Sequence, residues 1–262
     1  MSKFLDYMER ITLAGPGGMG FGAARTGKTP AMALIGLVSG SYAKGLGTVS
    51  KLALDAALMS GIDNAAGLKR IEKSLPSMPW GVKTSTLTEE SARGFRDGGC
   101  DLLAFALENT AASALATDDA ARILYIDAEI EERELRAIGA LPVDALILPM
   151  TEISGPWELA NLASVASISR RVDKYILVEV GGAPSASDLE SLRNAGVHGL
   201  VLDVAAVGAH DLETLKSATL DMPRQRPPGR GRASAIVPSS VFPSGAGPQR
   251  EEEDEEEDDD DI

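Results

Sequence analysis

Lys83, Asp127 and Glu179 are the side chains of this sequence with the types and placement to do chemistry together. Each sits in or at the end of a short apolar run, where a charge is costly unless it meets water, an ionic partner or a ligand. A lysine between two carboxylates can serve as proton donor, Schiff-base amine or phosphate ligand, depending on its pKa. The bland counterpart is an ion-pair network that merely fills an interior. Costly buried charge tends to mark sites, which tips the balance toward function. Glu108 ends another run and Asp203 a further one, each either a second participant or a helix cap. Gly181, Gly182 and Ser185 precede a predicted helix start. Its free N–H groups would suit an anion, and a tight turn with a cap explains the same residues.

Eight apolar runs must carry these groups: 31–38, 56–60, 80–85, 101–107, 122–127, 145–149, 175–180 and 200–203. Helical patterns fall between or after them at 41–54, 65–74, 88–97, 111–116, 131–138, 157–170, 187–195 and 211–220. The stretch 175–204 is the clearest unit. A β-rich run stops at Gly181-Gly182, Ser185 and Ser187 offer caps with Asp188 and Glu190 three residues on, and Gly196 closes the helix before the next run. Two neighbouring strands joined by one helix are parallel, with a right-handed crossover. The even-numbered runs share a grammar of helix end, one polar residue (Asp or His), then strand: LALDAALMS, GGCDLLAFAL, LPVDALILP and AGVHGLVLD. Strand and helix alternating in this way fit either a doubly wound open sheet or a (β/α)8 barrel. Eight runs in about 220 residues favour the barrel, a TIM barrel of the α/β class. In it Lys83, Asp127 and Glu179 lie on odd strands and share an inward layer near the mouth.

Residues 178–203 also resemble the last quarter of aldolase-type (β/α)8 barrels that bind phosphate, of the ribulose-phosphate-binding and flavin-mononucleotide-binding kinds. The resemblance rests on Gly181-Gly182, Asp188-Leu189 and Ala195-Gly196-Val197-His198-Gly199. It implies a phosphate-binding barrel of lyase or isomerase type, with Gly181, Gly182 and Ser185 at an anion site and FMN as a candidate cofactor. The chain departs from those families after the eighth run. A glycine-containing phosphate loop is expected there, and Asp203-Val204-Ala205-Ala206 stands instead. The sixth run ends Leu148-Pro149-Met150-Thr151, without the Schiff-base lysine common in class I aldolases. A lysine on the third strand resembles the orotidine-phosphate decarboxylase group, but the aspartates of that motif are missing around Gly81-Val82-Lys83-Thr84.

Gly22-Ala-Ala-Arg-Thr-Gly27-Lys28-Thr29 matches the phosphate-loop pattern GxxxxGK[ST]. A glycine-rich loop precedes it where a buried strand is needed, and Pro30 follows where a helix should begin, so a nucleotide hydrolase is disfavoured. His198 and His210 head the eighth strand and follow it, which reads as a structural residue and a helix cap. No His/Cys/carboxylate spacing indicates a metal.

Three segments result: 1–29 as an N-terminal piece with a Gly-rich loop, 30–222 as the barrel, and 223–262 as a Pro/Gly/Arg linker with an acidic tail. The last segment is expected to be disordered, because it cannot bury enough surface to offset ordering entropy. Residues 251–262 hold eleven acids, and removing them takes the net charge from −14 to −3. The tail is a solubility element or a ligand for a basic partner. With one cysteine, Cys100, and no run of 18 apolar residues, the chain reads as soluble and cytoplasmic, without membrane contact. A basic stripe is absent, so nucleic acid is not expected as a partner. A homo-oligomer is compatible with the pattern. The leading functional expectation is a barrel enzyme of lyase or isomerase type acting on a small phosphorylated or carboxylated metabolite. Lys83 would be its electrophilic or proton-transferring group, with Asp127 and Glu179 as acid/base partners and Glu108 nearby. The competing expectation is a non-catalytic barrel used for binding or assembly.

Overall fold

Strands buried on both faces read as continuous apolar runs, and each of the eight runs becomes such a strand. A computed structural model of the chain describes residues 2–13, 28–39, 49–62, 68–116, 119–153 and 156–223. β1 (Ala33–Val38), β2 (Ala56–Ser60), β3 (Trp80–Thr84), β4 (Leu102–Ala106), β5 (Ala121–Tyr125), β6 (Ala145–Met150), β7 (Tyr175–Val180) and β8 (Gly199–Asp203) follow one another in order. All pair in parallel, and β8 returns to β1, so the sheet is a closed barrel with no free edge. The chain is a (β/α)8 barrel rather than an open sheet.

Seven α-helices are described: α1 (Lys3–Leu13), α2 (Leu68–Ser74), α3 (Glu89–Asp97), α4 (Glu132–Gly139), α5 (Leu159–Ser169), α6 (Ala186–Asn194) and α7 (Ala209–Asp221). Those after α1 bury apolar pairs three residues apart against the outside of the barrel, such as Ala92 and Phe95 or Leu189 and Leu192. The Thr88 hydroxyl caps α3 in a reciprocal box with Ser91, and Ser185 does the same for α6 with Asp188. Between β4 and β5 the expected helix is only a 3-10 turn, Ala112–Leu115, too short and alanine-rich to bury a face of its own. His210, expected as a cap, lies inside α7, whose N-cap is Gly208. The helix expected at 41–54, the glycines of 22–27 and the acidic tail lie outside the described residues, apart from positions 49–54. Lys28, the lysine of the phosphate-loop pattern, is paired with Asp221 at the end of α7 (2.6 Å).

The polar residue heading each even strand has a common task. Asp55, Asp101, Asp144 and His198 donate their backbone N–H to the carbonyls of Leu34, Trp80, Arg122 and Ile176 at 2.7–2.8 Å. Three of the four side chains also receive a backbone N–H from the same odd strand. Asp55 takes that of Leu34 (2.9 Å), Asp144 that of Arg122 (2.8 Å), and His198 Nδ1 that of Ile176 (3.1 Å). These bonds close the N-terminal end of each strand pair, where no ladder partner remains.

Asp101 is the exception, and it explains the N-terminus. Its carboxylate accepts the Ser2 hydroxyl (2.9 Å) and the N–H groups of Lys3 and Phe4 (2.8 Å each), so it caps α1 from the start of β4. Helix α1 is amphipathic, and its buried residues Phe4, Met8 and Ile11 pack with the inward residues Ala33, Ile35, Ala56, Leu58, Leu102 and Ile123. Residues 3–13, set apart from the barrel by their sequence, therefore form its floor. Losing the Asp101 cap removes three hydrogen bonds to a helix start, and caps of this kind are worth about 0.5–2 kcal/mol. Asp101→Ala should lower the urea-unfolding free energy by about 2 kcal/mol, whereas Asp101→Asn, which keeps one acceptor oxygen, should lose less.

His198 is held between β7 and the ring of Tyr175, edge to face at 5.4 Å. Because Nδ1 accepts the Ile176 N–H, the neutral ring carries its proton on Nε2. Burial lowers the His198 pKa. An unfolded chain takes up a proton near pH 6.5 that the folded chain resists. This stabilisation is therefore complete above that pH and is lost as the pH falls below it. His198→Asp, which installs the residue used at the other three positions, should move the onset of that loss down to the carboxylate range below about pH 4. Urea midpoints of both proteins between pH 8 and 5 would show it as diverging curves. Cys100 is buried, and desolvation pushes its thiol up to about 12, which leaves it protonated and inert at neutral pH.

Candidate functional site

The strand register decides which inward side chains meet. Stepping from Leu37 across Leu58 leads to Gly81, two residues short of Lys83. From Lys83 the path crosses Ala104 to Ile123, two short of Tyr125. From Tyr125 it crosses Ile147 to Leu177, two short of Glu179, and from Glu179 it crosses Val201 to Ile35, two short of Leu37. Four slips of two residues make the stagger of eight typical of this barrel. The four inward residues at one height at the C-terminal end are thus Leu37, Lys83, Tyr125 and Glu179, one from each odd strand.

Three of them touch. The Lys83 ammonium lies 3.2 and 3.5 Å from the two Glu179 carboxylate oxygens. It also sits over the Tyr125 ring, 4.2 Å from its centroid, in a cation–π contact. The Lys83 side chain keeps 33% of its surface exposed and Glu179 keeps 11%, so the pair lies at the mouth and not in a sealed interior. The Tyr125 hydroxyl is buried and makes no hydrogen bond. Burial first, then the charge of the nearby Glu179 carboxylate and its approach to the phenol proton, push its pKa up. The phenol is therefore a neutral O–H donor at physiological pH.

Asp127, expected as the third member, stands two residues beyond Tyr125, outside the layer. It is exposed, and its carboxylate accepts the Glu129 N–H of its own loop (2.8 Å). The alternation argument points to this strand, but only the stagger tells which of its residues reaches Lys83. Glu108 is exposed in the turn after β4, next to Asn109 in the left-handed region (φ 59°). Tyr125 was masked in the sequence by its apolar run. Its signal was an aromatic hydroxyl two residues before Asp127 on the same face.

At the end of β7 a Cβ on Gly181 would lie 2.2 Å from the Thr151 carbonyl oxygen, so close backbone packing alone requires glycine there. Gly182 has open space around it. The Asp188 carboxylate takes the Ser185 hydroxyl (2.7 Å) and the Trp157 N–H (3.3 Å), which seats a carboxylate of the chain at the start of α6. Asp203 takes the Ala205 N–H (2.8 Å) in the turn after β8. An FMN or sugar phosphate at this corner would meet two acids and find these donors engaged. Among the described residues, no group of three or more His, Cys, Asp or Glu side chains is placed to hold a metal ion. No helix among them is long and apolar enough to cross a membrane.

No family model and no curated protein matches the sequence. Solved structures do match the fold. The 3-keto-L-gulonate-6-phosphate decarboxylase of Vibrio cholerae is 13% identical, with a TM-score of 0.57 over 74% of this chain and 100% of that one. A tryptophan synthase alpha-subunit mutant from Pyrococcus furiosus is 13% identical, with a TM-score of 0.56 over 72% of this chain and 96% of that one. KGPDC from Streptococcus mutans is 10% identical, with a TM-score of 0.56 over 72% and 98%. At such identities the likeness shows the (β/α)8 barrel fold alone and leaves the chemistry to the residues of the mouth.

Proposed function

We propose that this barrel is an enzyme of lyase or isomerase type whose substrate is a small anionic metabolite, with Lys83 as the cation that receives it. The observation that carries this reading is the Lys83–Glu179 pair, set with Tyr125 at the strand C-terminal end, the end where barrels of this fold place their active sites. Lys83 would hold an anionic or carbonyl oxygen and donate a proton, and Glu179 would serve as the base that exchanges a proton with the adjacent carbon. The solved neighbours named as a 3-keto-L-gulonate-6-phosphate decarboxylase and a tryptophan synthase alpha-subunit support a barrel enzyme by fold analogy. Between a phosphorylated and a carboxylated substrate, the geometry favours the carboxylated one, because Asp188 and Asp203 occupy the corner where a phosphate would be anchored. Asp127 and Glu108, exposed on the rim, would act on remote parts of a ligand. A cytoplasmic setting suits such metabolism.

That same internal satisfaction of the β7–β8 corner favours a second reading, a barrel that binds or assembles without catalysis. Mass spectrometry of ligands released from the native protein, followed by turnover assays on the recovered class of compound, separates them. Recovery and conversion of a small acid support the enzyme. An empty mouth and no conversion across keto acids, hydroxy acids and sugar phosphates would hand the case to the non-catalytic barrel.

A further inference from the structure

We propose that Tyr125 is a positioning residue for Glu179: its phenol takes over the carboxylate when the anionic group of a ligand draws the Lys83 ammonium away. The inference rests on Lys83 being the ligand-receiving cation. One nitrogen serves both neighbours, at 3.2 Å from the Glu179 carboxylate and 4.2 Å from the Tyr125 ring centroid. A ligand that recruits this nitrogen leaves Glu179, 11% exposed, with its charge unbalanced, a costly state for a nearly buried carboxylate. The group able to answer is already in place. The Tyr125 hydroxyl is buried, makes no hydrogen bond, and lies within the electrostatic field of Glu179.

A buried hydroxyl without a partner weakens the fold, and phenylalanine would supply the same packing and the same cation–π face. In the ligand-free arrangement the hydroxyl approaches Glu179 without a formed hydrogen bond, and a second arrangement completes it. In the first arrangement Lys83 holds Glu179. In the second, Lys83 holds the ligand and Tyr125 donates its O–H to Glu179. No proton changes owner, since the phenol stays neutral and the carboxylate stays charged. The carboxylate is thereby kept ionised and aimed, ready to act as a base, while its former partner is engaged. A ligand suited to this exchange carries one negative oxygen group small enough to enter between Lys83 and the rim, as a keto acid does.

The test is a double-mutant cycle read by calorimetric titration of the full chain with acetoacetate and, separately, with inorganic phosphate. Tyr125→Phe should weaken acetoacetate about tenfold or more, the usual effect of a hydrogen bond to a charged group. In a Glu179→Gln background, where there is no charge to support, the same change should have almost no effect. Without ligand, Tyr125→Phe should leave the melting temperature unchanged or raise it by about 2–4 °C. Equal affinity of Tyr125→Phe and wild type, with binding still lost in Lys83→Met, overturns this proposal and leaves the functional reading standing. A lower melting temperature together with weakened binding in both backgrounds makes the hydroxyl structural and also overturns it. Failure of the wild type to bind either probe overturns the functional reading and this proposal with it.

Discussion

On the enzyme reading proposed above, replacing Lys83 by methionine should reduce turnover about a thousandfold, within the range for losing a positioned proton donor. Methionine keeps the length and the apolar stem, so the change isolates the ammonium. The same substitution also removes the ionic partner of the Glu179 carboxylate. Breaking a buried pair commonly costs 3–5 kcal/mol, but Lys83 is one-third exposed and water can reach the carboxylate as it relaxes, so about 1–3 kcal/mol is expected. These two losses part company in Lys83→Met/Glu179→Gln. The double variant has no charge left unbalanced, and its unfolding free energy should return toward wild type while turnover stays lost. Should activity instead recover with stability, the pair is a strut and the mouth does not act through it.

The second large effect is expected at the opposite end. Phe4 and Met8 are fully buried and Ile11 nearly so, all three against the inner faces of the strands. Phe4→Ala should cost about 3–5 kcal/mol, the usual penalty for emptying an aromatic site in a core. Removing residues 1–13 takes away all three anchors, at about 1.5–3 kcal/mol each, and wets the inward residues above them. The sum rivals the whole stability of an ordinary domain, about 5–15 kcal/mol. The truncated chain should therefore retain helix by far-ultraviolet dichroism, lose near-ultraviolet signal and bind a hydrophobic dye. A truncated protein that unfolds cooperatively at the wild-type urea midpoint would show that the floor is ornamental.

Much of this architecture could be read from the amino acids, for a plain reason. A parallel strand covered on both sides must be apolar throughout, so the runs 56–60 and 175–180 match β2 and β7 end to end and the others differ by at most two residues at either end. The polar heads of the even strands were visible as a repeated grammar, and the bonds from Leu34, Arg122 and Ile176 give its cause. What remained hidden depends on distance in sequence. Nothing near Asp101 announces that its carboxylate belongs to a helix start 97 to 99 positions earlier. The site shows the same limit. Lys83 and Glu179 could be paired by strand parity, but choosing Tyr125 over Asp127 needs the slip of two residues per strand pair, a property of the closed ring that no single strand carries. Gly181 has a cause that its own neighbourhood in the sequence does not show. A glycine that looks made for an anion is required by the Thr151 carbonyl lying against it.

With Phe4 and Met8 stoppering the axis, the barrel is a cul-de-sac rather than a corridor. Among the described residues, a ligand of Lys83 would have to leave by the end at which it arrived, because the base is filled by Phe4, Met8 and Ile11. For the enzyme proposed above, arrival and departure would then share the open end, so a lingering product would hold off the next molecule for as long as it stays.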